Sequence, residues 1–527
     1  MWNIRTPHTT HQARGLTLVE MLMATALTLI MFAAVAQIFG MMGNAMRDAR
    51  ATIELSGNLR SVSNQLQNNL NNVTADVLPW AQPGSNQGYF EIVEGPDRDV
   101  DFAAWDVIGD DETITTDPHN GSMAGDADDI LSFTAYSKDE PFVGLIYGQL
   151  MPMPAGSQYQ FYIDQTASPV DFTVITSHYA EIVYFTKRTA ADDRNLEEWS
   201  DSDIRNANET VTLYRRVFLI RPDIKLGPSG SSNSYSYRPE EVHNYFDLSV
   251  YSPSGMTNWE TNSLEDLQDR VRRMAHYPVP GATDPAFPTR LDPARLLSFE
   301  QLHEEIEANV GPGTNERDRT GEDVIMTNVM AFDVRVYDPL AVIREESASS
   351  GTIAVQPGDF YYPGLSAADP VFADYDSDES MLGAFVDLNW TAQGRATDPT
   401  ARSFFAGAPN AKSDLSGITA APYTQSPSML MPPGETVVNP NLTYAFYDTW
   451  PLKYESDGDD QDNDGVTDEG TNGFDDNGNN VVDDLVEYET SPPYPFPLRG
   501  ISVTIRAIED GTRQVRQNTI MADFLPD

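Results

Sequence analysis

The chain has 527 residues, enough for roughly three or four ordinary domains, and carries 80 Asp and Glu against 33 Lys and Arg, a formal charge of −47. Such a surface repels phosphate backbones and anionic headgroups, which excludes nucleic acid as a partner and favours divalent cations. With no cysteine there is no disulfide framework, and 10% aromatic residues argue against global disorder.

Arg5 and Arg14 precede an almost unbroken apolar run from Met21 to Phe39. A secretory signal peptide would explain the basic start, with Ala34-Val35-Ala36 as its cleavage site, although the run is longer than a usual apolar region. A plain membrane anchor would explain the length. Neither accounts for Glu20, a carboxylate at the edge of the run, where a bilayer penalises charge.

The stretch Gly15-Leu16-Thr17-Leu18-Val19-Glu20, followed by a long apolar helix, resembles the N-terminus of type IV pilins and type II secretion pseudopilins. The resemblance implies cleavage between Gly15 and Leu16 by a prepilin peptidase on the cytoplasmic side, with methylation of the new N-terminal Leu16. It also makes Glu20 the fifth residue of the mature chain, where the family's glutamate meets the N-terminal amine of a neighbouring subunit. Leu16 stands where the family more often has Phe. The physical argument runs in the same direction. Glu20 lies about 6 Å along the helix from Leu16, so among packed helices it gains most from a cation at its own depth. Such a pair selects register and partner more than it adds bulk stability.

Positive charge before the span places the N-terminus in the cytoplasm and the remainder outside, as a single-pass inner-membrane protein contacting lipid through residues 16–40. Beyond Gly40 and Gly43, the residues Leu55, Leu59, Val62, Leu66, Leu70 and Val73 form one apolar stripe, predicting an amphipathic continuation over 41–78 closed by Pro79.

From Tyr89 the pattern turns to period two. Strands are predicted at Ile130–Tyr136, Val143–Tyr147, Tyr179–Thr186, Glu209–Ile220, Val324–Tyr337 and Gly383–Trp390. A C-terminal hairpin joins Ile501–Ile508 to Gln514–Phe524. Strands without alternating helices favour an antiparallel sheet. The expected fold is therefore α+β: a long N-terminal transmembrane and amphipathic helix packed on an antiparallel, pilin-like sheet with large loop-rich insertions. The divisions are a leader (1–15), a membrane helix (16–40), its amphipathic continuation (41–78), a β-rich domain in two parts (79–226 and 323–390), insertions (227–322 and 391–498), and the hairpin (499–527). Helices are expected in the first insertion at Ser263–Met274, with a Ser263/Asp266 capping box, and at Ser298–Ala308. Within the pilin-like families the helix, the Tyr214-Arg215-Arg216 strand and the C-terminal hairpin are most similar to J-type minor pseudopilins.

One insertion carries chemistry of its own. Asp460, Asp462, Asp464, Gly465 and Asp468 fit D-x-D-x-D-G-x-x-D, and fifteen residues later Asp475, Asn477, Asn479 and Asp483 repeat the spacing, with Asn480 in place of the Gly. Alternate oxygens curl round a hard cation, with the carbonyls of Val466 and Val481 at the seventh positions. The twelfth positions hold Thr471 and Val486, so no bidentate Glu stands there, and Asp475, Asp484 or Glu487 are the substitutes. The segment resembles the tandem calcium loops of thrombospondin type 3 repeats and dockerins, implying a structural calcium role. The competing reading is a solvated acidic linker. Asp126-Asp128-Asp129 and Asp374-Asp376-Asp378 lack the turn glycine and the full spacing.

The seven histidines show no metal spacing, and neither a nucleophile elbow nor a phosphate loop is present. The expectation is therefore not an enzyme but a minor pilin or pseudopilin. It is processed by prepilin peptidase and assembled with other pilin subunits into a type II secretion or type IV pilus filament, at low copy near the tip. The alternative is a displayed or membrane-anchored adhesin binding through the 230–320 or 391–498 insertions.

Overall fold

The computed structural model describes residues 17–78, 80–81, 85–94, 127, 129–166, 171–188, 210–227, 242–243, 245–251, 259–274, 276–278, 289–291, 323–348, 351–355, 381–388, 418–419, 424–425, 444–456, 458, 465–483, 487–488, 497–509 and 514–524. The expected leader, the helix predicted at Ser298–Ala308 and most of the 391–498 insertion lie outside these residues. The chain divides into two compact units, Met1–Gly57 with Glu509–Gln514, and Asn58–Ile508 with Val515–Asp527.

In the first unit a single helix begins, α1 (Leu18–Leu70), 53 residues without a break at Gly40 or Gly43. Leu22, Leu29, Phe32, Phe39 and Met46 on it are all more than half exposed. Its charged stretch carries an Arg50–Glu54 pair one turn apart, and Thr52 donates to the Gln514 side-chain oxygen at 2.7 Å.

The second unit is built on a large sheet. In chain order its main strands are β1 (Phe90–Glu94), β2 (Ile130–Tyr136), β3 (Tyr179–Arg188), β4 (Val211–Leu219), β5 (Val324–Ala348), β6 (Met381–Val386), β7 (Tyr444–Asp448), β8 (Gly500–Glu509) and β9 (Gln514–Asp523). Side by side they run β7-β1-β2-β3-β4-β5-β8-β9, with β6 also paired to β5. The pairings from β7 through β8 are antiparallel. The last two strands form the expected hairpin, since Thr504 meets Thr519 and Arg506 meets Gln517. The strand from Val324 outruns its expected end at Tyr337 because bulges let it change partners along its length.

The closing turns of α1 pack on one face of this sheet. Leu59, Val62, Leu66 and Leu70 are buried, as the stripe predicts, and removing each such side chain from water is worth about 1.5–3 kcal/mol. The Asn69 amide lies 2.7 Å from the Tyr184 hydroxyl and, in the orientation that satisfies both neighbours, 2.9 Å from Arg215 Nε. Tyr184 continues a stacked row through Phe133 and Phe90 on one side and Phe332 on the other. The helix ends at Leu70, short of the expected 78. Asn71 and Asn72 form a turn, and Val73 bridges to Ala135, because the sheet offers backbone partners that a continuing helix would forgo.

The opposite face bears a lateral row of Asp448, Glu91, Ser132, Val183 and Arg216. Residues 259–278 cover it. Arg273 Nη1 stands 2.6 Å from Asp448, Arg270 Nε 2.7 Å from the same carboxylate, and His276 Nε2 3.0 Å from Glu91, all nearly or fully buried. The helix expected over Ser263–Met274 is not an α-helix. Ser263 and Asp266 do close the reciprocal cap, at 2.9 and 3.1 Å, but only two 3₁₀ turns follow, Asp266–Gln268 and Arg270–Arg272. At Asp269 the backbone turns extended, which lets both arginines reach the buried carboxylates.

Candidate functional site

Two regions hold the residues singled out in the sequence. In the first, Gly15 and Leu16 lie outside the described residues, while Glu20 sits in the first turn of α1. Its carboxylate accepts from the Thr17 N–H at 2.9 Å and from the Thr17 hydroxyl at 3.0 Å, and the Glu20 N–H donates back to the Thr17 hydroxyl at 3.3 Å. This is a capping box, satisfying two helix-end N–H groups that would otherwise lack partners. The sequence contains its signature, Thr-x-x-Glu, which the apolar run around the glutamate obscures. Thr25 and Thr28 turn their hydroxyls back onto carbonyls one turn earlier, which lets polar side chains ride on an apolar helix. Among the described residues one helix is long and apolar enough to cross a membrane, and it is this one.

The second region is the tandem acidic loop. Asp460, Asp462 and Asp464 of the first copy lie outside the described residues; Val466 and Asp468, and Asp475, Asn477, Asn479, Val481 and Asp483 of the second copy, lie within them. The fifteen-residue repeat is present in the backbone as well as in the spelling. Gly458 and Gly473 have φ of 87° and 83°, Gly465 and Asn480 have 97° and 71°, and Asp468 and Asp483 have 53° and 52°. Asn480 thus takes the left-handed turn that the glycine takes in the first copy, a conformation Asn tolerates better than most side chains. Each copy closes by the same hydrogen bond, Gly458 N–H to Asp468 Oδ1 at 3.0 Å and Gly473 N–H to Asp483 Oδ1 at 2.8 Å. The two glycines were missed in the sequence, although stepping the repeat back two residues from Asp460 and Asp475 finds them.

Within the second copy the Asp475 carboxylate accepts from the N–H groups of Asn479 and Asn480 at 3.0 and 2.7 Å. Glu487, buried, accepts from the Asn477 N–H at 3.1 Å, so this substitute reaches the second loop, while Asp484 lies outside the described residues. Gly470 pins the first copy against the body of the domain. A Cβ there would stand 2.5 Å from both the Glu455 carboxylate and the Tyr488 ring. Asp468, Asp475, Asn477, Asn479 and Asp483 offer only hard oxygen donors, which fit calcium. Among the described residues, no group of three or more His, Cys, Asp or Glu side chains is arranged to hold a metal ion. Of the smaller acidic clusters, Asp129 is buried and accepts from the Val334 N–H at 2.6 Å, an ordinary structural bond; Asp126, Asp128 and the 374–378 cluster lie outside the described residues.

No protein-family model, curated protein or solved structure matches the chain.

Proposed function

We propose that the chain is a minor pilin or pseudopilin subunit. In this reading prepilin peptidase cleaves it between Gly15 and Leu16, and residues 16–40 hold it in the inner membrane with the large domain on the periplasmic or extracellular side. It then joins other subunits in a type II secretion or type IV pilus filament, at low copy near the tip. The observation that carries this reading is the form of α1. A single 53-residue helix starts with Glu20 in its first turn, stays apolar and exposed along the following turns, and ends in a buried stripe on an antiparallel sheet. A soluble domain has no use for so long an exposed apolar helix. Deleting the gene and complementing it with Glu20→Ala tests the reading: loss of secretion or piliation, with the variant stable but absent from filaments, is the expected result. Normal filaments with lost adhesion would favour the adhesin alternative.

We propose further that the tandem loop binds calcium in a structural role. Asp460, Asp462, Asp464, the Val466 carbonyl and Asp468 would hold one ion. Asp475, Asn477, Asn479, the Val481 carbonyl and Asp483 would hold the other, with Glu487 beside it. The repeated left-handed positions support this, as does the lack of any Lys or Arg between Lys453 and Arg499 to offset the carboxylates.

A further inference from the structure

Asn472-Gly473 and Asn477-Gly478 are both Asn-Gly pairs, and both asparagines fold their side-chain oxygen over the following peptide. Asn472 Oδ1 accepts from the Phe474 N–H at 2.8 Å, and Asn477 Oδ1 from the Asn479 N–H at 3.0 Å. This turn brings the side-chain carbonyl carbon towards the glycine nitrogen, and the donated hydrogen bond stabilises negative charge building on the oxygen. Glycine leaves that nitrogen unshielded. The two pairs differ in what holds the nitrogen. The Gly473 N–H donates to the Asp483 carboxylate at 2.8 Å. An anion forming on Gly473 would lose that bond and face a carboxylate at contact distance. The Gly478 N–H has no acceptor among the described residues, and Asn477 and Gly478 are both exposed.

We propose that Asn477 is a site of spontaneous deamidation, selected over Asn472. The Gly478 nitrogen gives its proton to solvent hydroxide and attacks Cγ of Asn477. A nitrogen–carbon bond forms, the side-chain carbon–nitrogen bond breaks, and ammonia leaves with a proton from water. Water then opens the five-membered imide at either carbonyl, leaving aspartate or isoaspartate. The net change is uptake of one water and loss of one ammonia. The aspartate product places a carboxylate where the first copy has Asp462, so the second loop gains a charged third position. That consequence rests on the calcium reading; the modification does not.

The test incubates the detergent-extracted full chain in mildly alkaline buffer with a chelator. Digestion before aspartates then separates Asn472 from Asn477 for mass spectrometry. A gain of one mass unit at Asn477, several-fold faster than at Asn472, is expected. Equal rates, or a faster Asn472, would overturn the proposal. Asp483→Asn removes the charge beside Gly473 and is expected to speed reaction at Asn472; an unchanged Asn472 rate contradicts the account of the selection. Calcium titration of Asn477→Asp against the unmodified chain reads the consequence. Tighter binding supports it, equal binding removes it, and no binding by either chain counts against the calcium reading while the mass shift stands.

Discussion

Thr17 and Glu20 hold each other at the start of α1, the Glu20 carboxylate taking both the N–H and the hydroxyl of Thr17 while its own N–H returns to that hydroxyl. The glutamate is therefore satisfied within its own chain before any partner arrives, and assembly would exchange a cap for an intermolecular cation. Substitution separates the two roles. Glu20→Gln keeps an oxygen for the cap but loses the charge, whereas Glu20→Ala loses both. If the charge serves assembly, both variants stay out of filaments, and circular dichroism shows both still folded. Filaments that accept Glu20→Gln normally would leave the cap as the residue's whole purpose.

The acidic loop is expected to respond to chelation. Removing calcium should expose the segment between Lys453 and Arg499, and an endoproteinase specific for Asp or Glu should then cut it many times faster. Asp468→Ala and Asp483→Ala should each weaken protection by removing one ligand and one loop-closing acceptor. Cleavage at the same rate with and without calcium would remove the ion from the account.

Acid stability reports on the buried face of the sheet. Burial alone would push the Glu91 carboxyl up, but His276, Arg273 and Arg270 pull it from an ordinary 4.5 down to about 2. A carboxyl whose folded pKa lies below its unfolded one stabilises the fold above the unfolded value, and that contribution fades as pH falls through the folded value. Thermal melts between about pH 4.5 and 2 should therefore show a steep loss that Glu91→Gln flattens. Glu181 runs the other way. Burial raises its pKa against the pull of donors from Met274, Ser249 and Tyr89, so its contribution fades as pH rises through the raised value. Breaking the cluster outright with Arg273→Ala should cost about 3–5 kcal/mol, since two carboxylates lose a buried partner.

Leu66 on α1 is fully buried. Leu66→Ala should destabilise the second unit by about 2–5 kcal/mol through lost burial and a residual cavity, read as a lower denaturant midpoint. Ile53→Ala, on the exposed flank of the same helix, should change that midpoint little.

The strands were legible because their alternation is local. Ile130–Tyr136 carries its own evidence of two faces, and every predicted strand has a counterpart that begins within two residues of its expected start, although the one from Val324 runs on to Ala348. The stripe from Leu55 to Leu70 was equally plain. The charge cluster was not. Arg270 and Arg273 fall within the helix expected over Ser263–Met274, and nothing local says that Glu91 and Asp448, more than three hundred residues apart in the chain, lie side by side. The Ser263/Asp266 cap was predicted and formed, yet the helix it should have started yields to the pull of buried carboxylates on two arginines. In the acidic loop the spacing disclosed the repeat, while the closing bonds from Gly458 and Gly473 needed the fold, because each spans ten residues with no periodic signal.

The central claim is that the apolar helix belongs to a processed subunit of a filament, and its most direct test is mass spectrometry of the N-terminal peptide from membrane-extracted native protein. A chain beginning at N-methylated Leu16 is the expected result. A chain beginning at Gln37, or one that keeps Gly15 joined to Leu16, would contradict it.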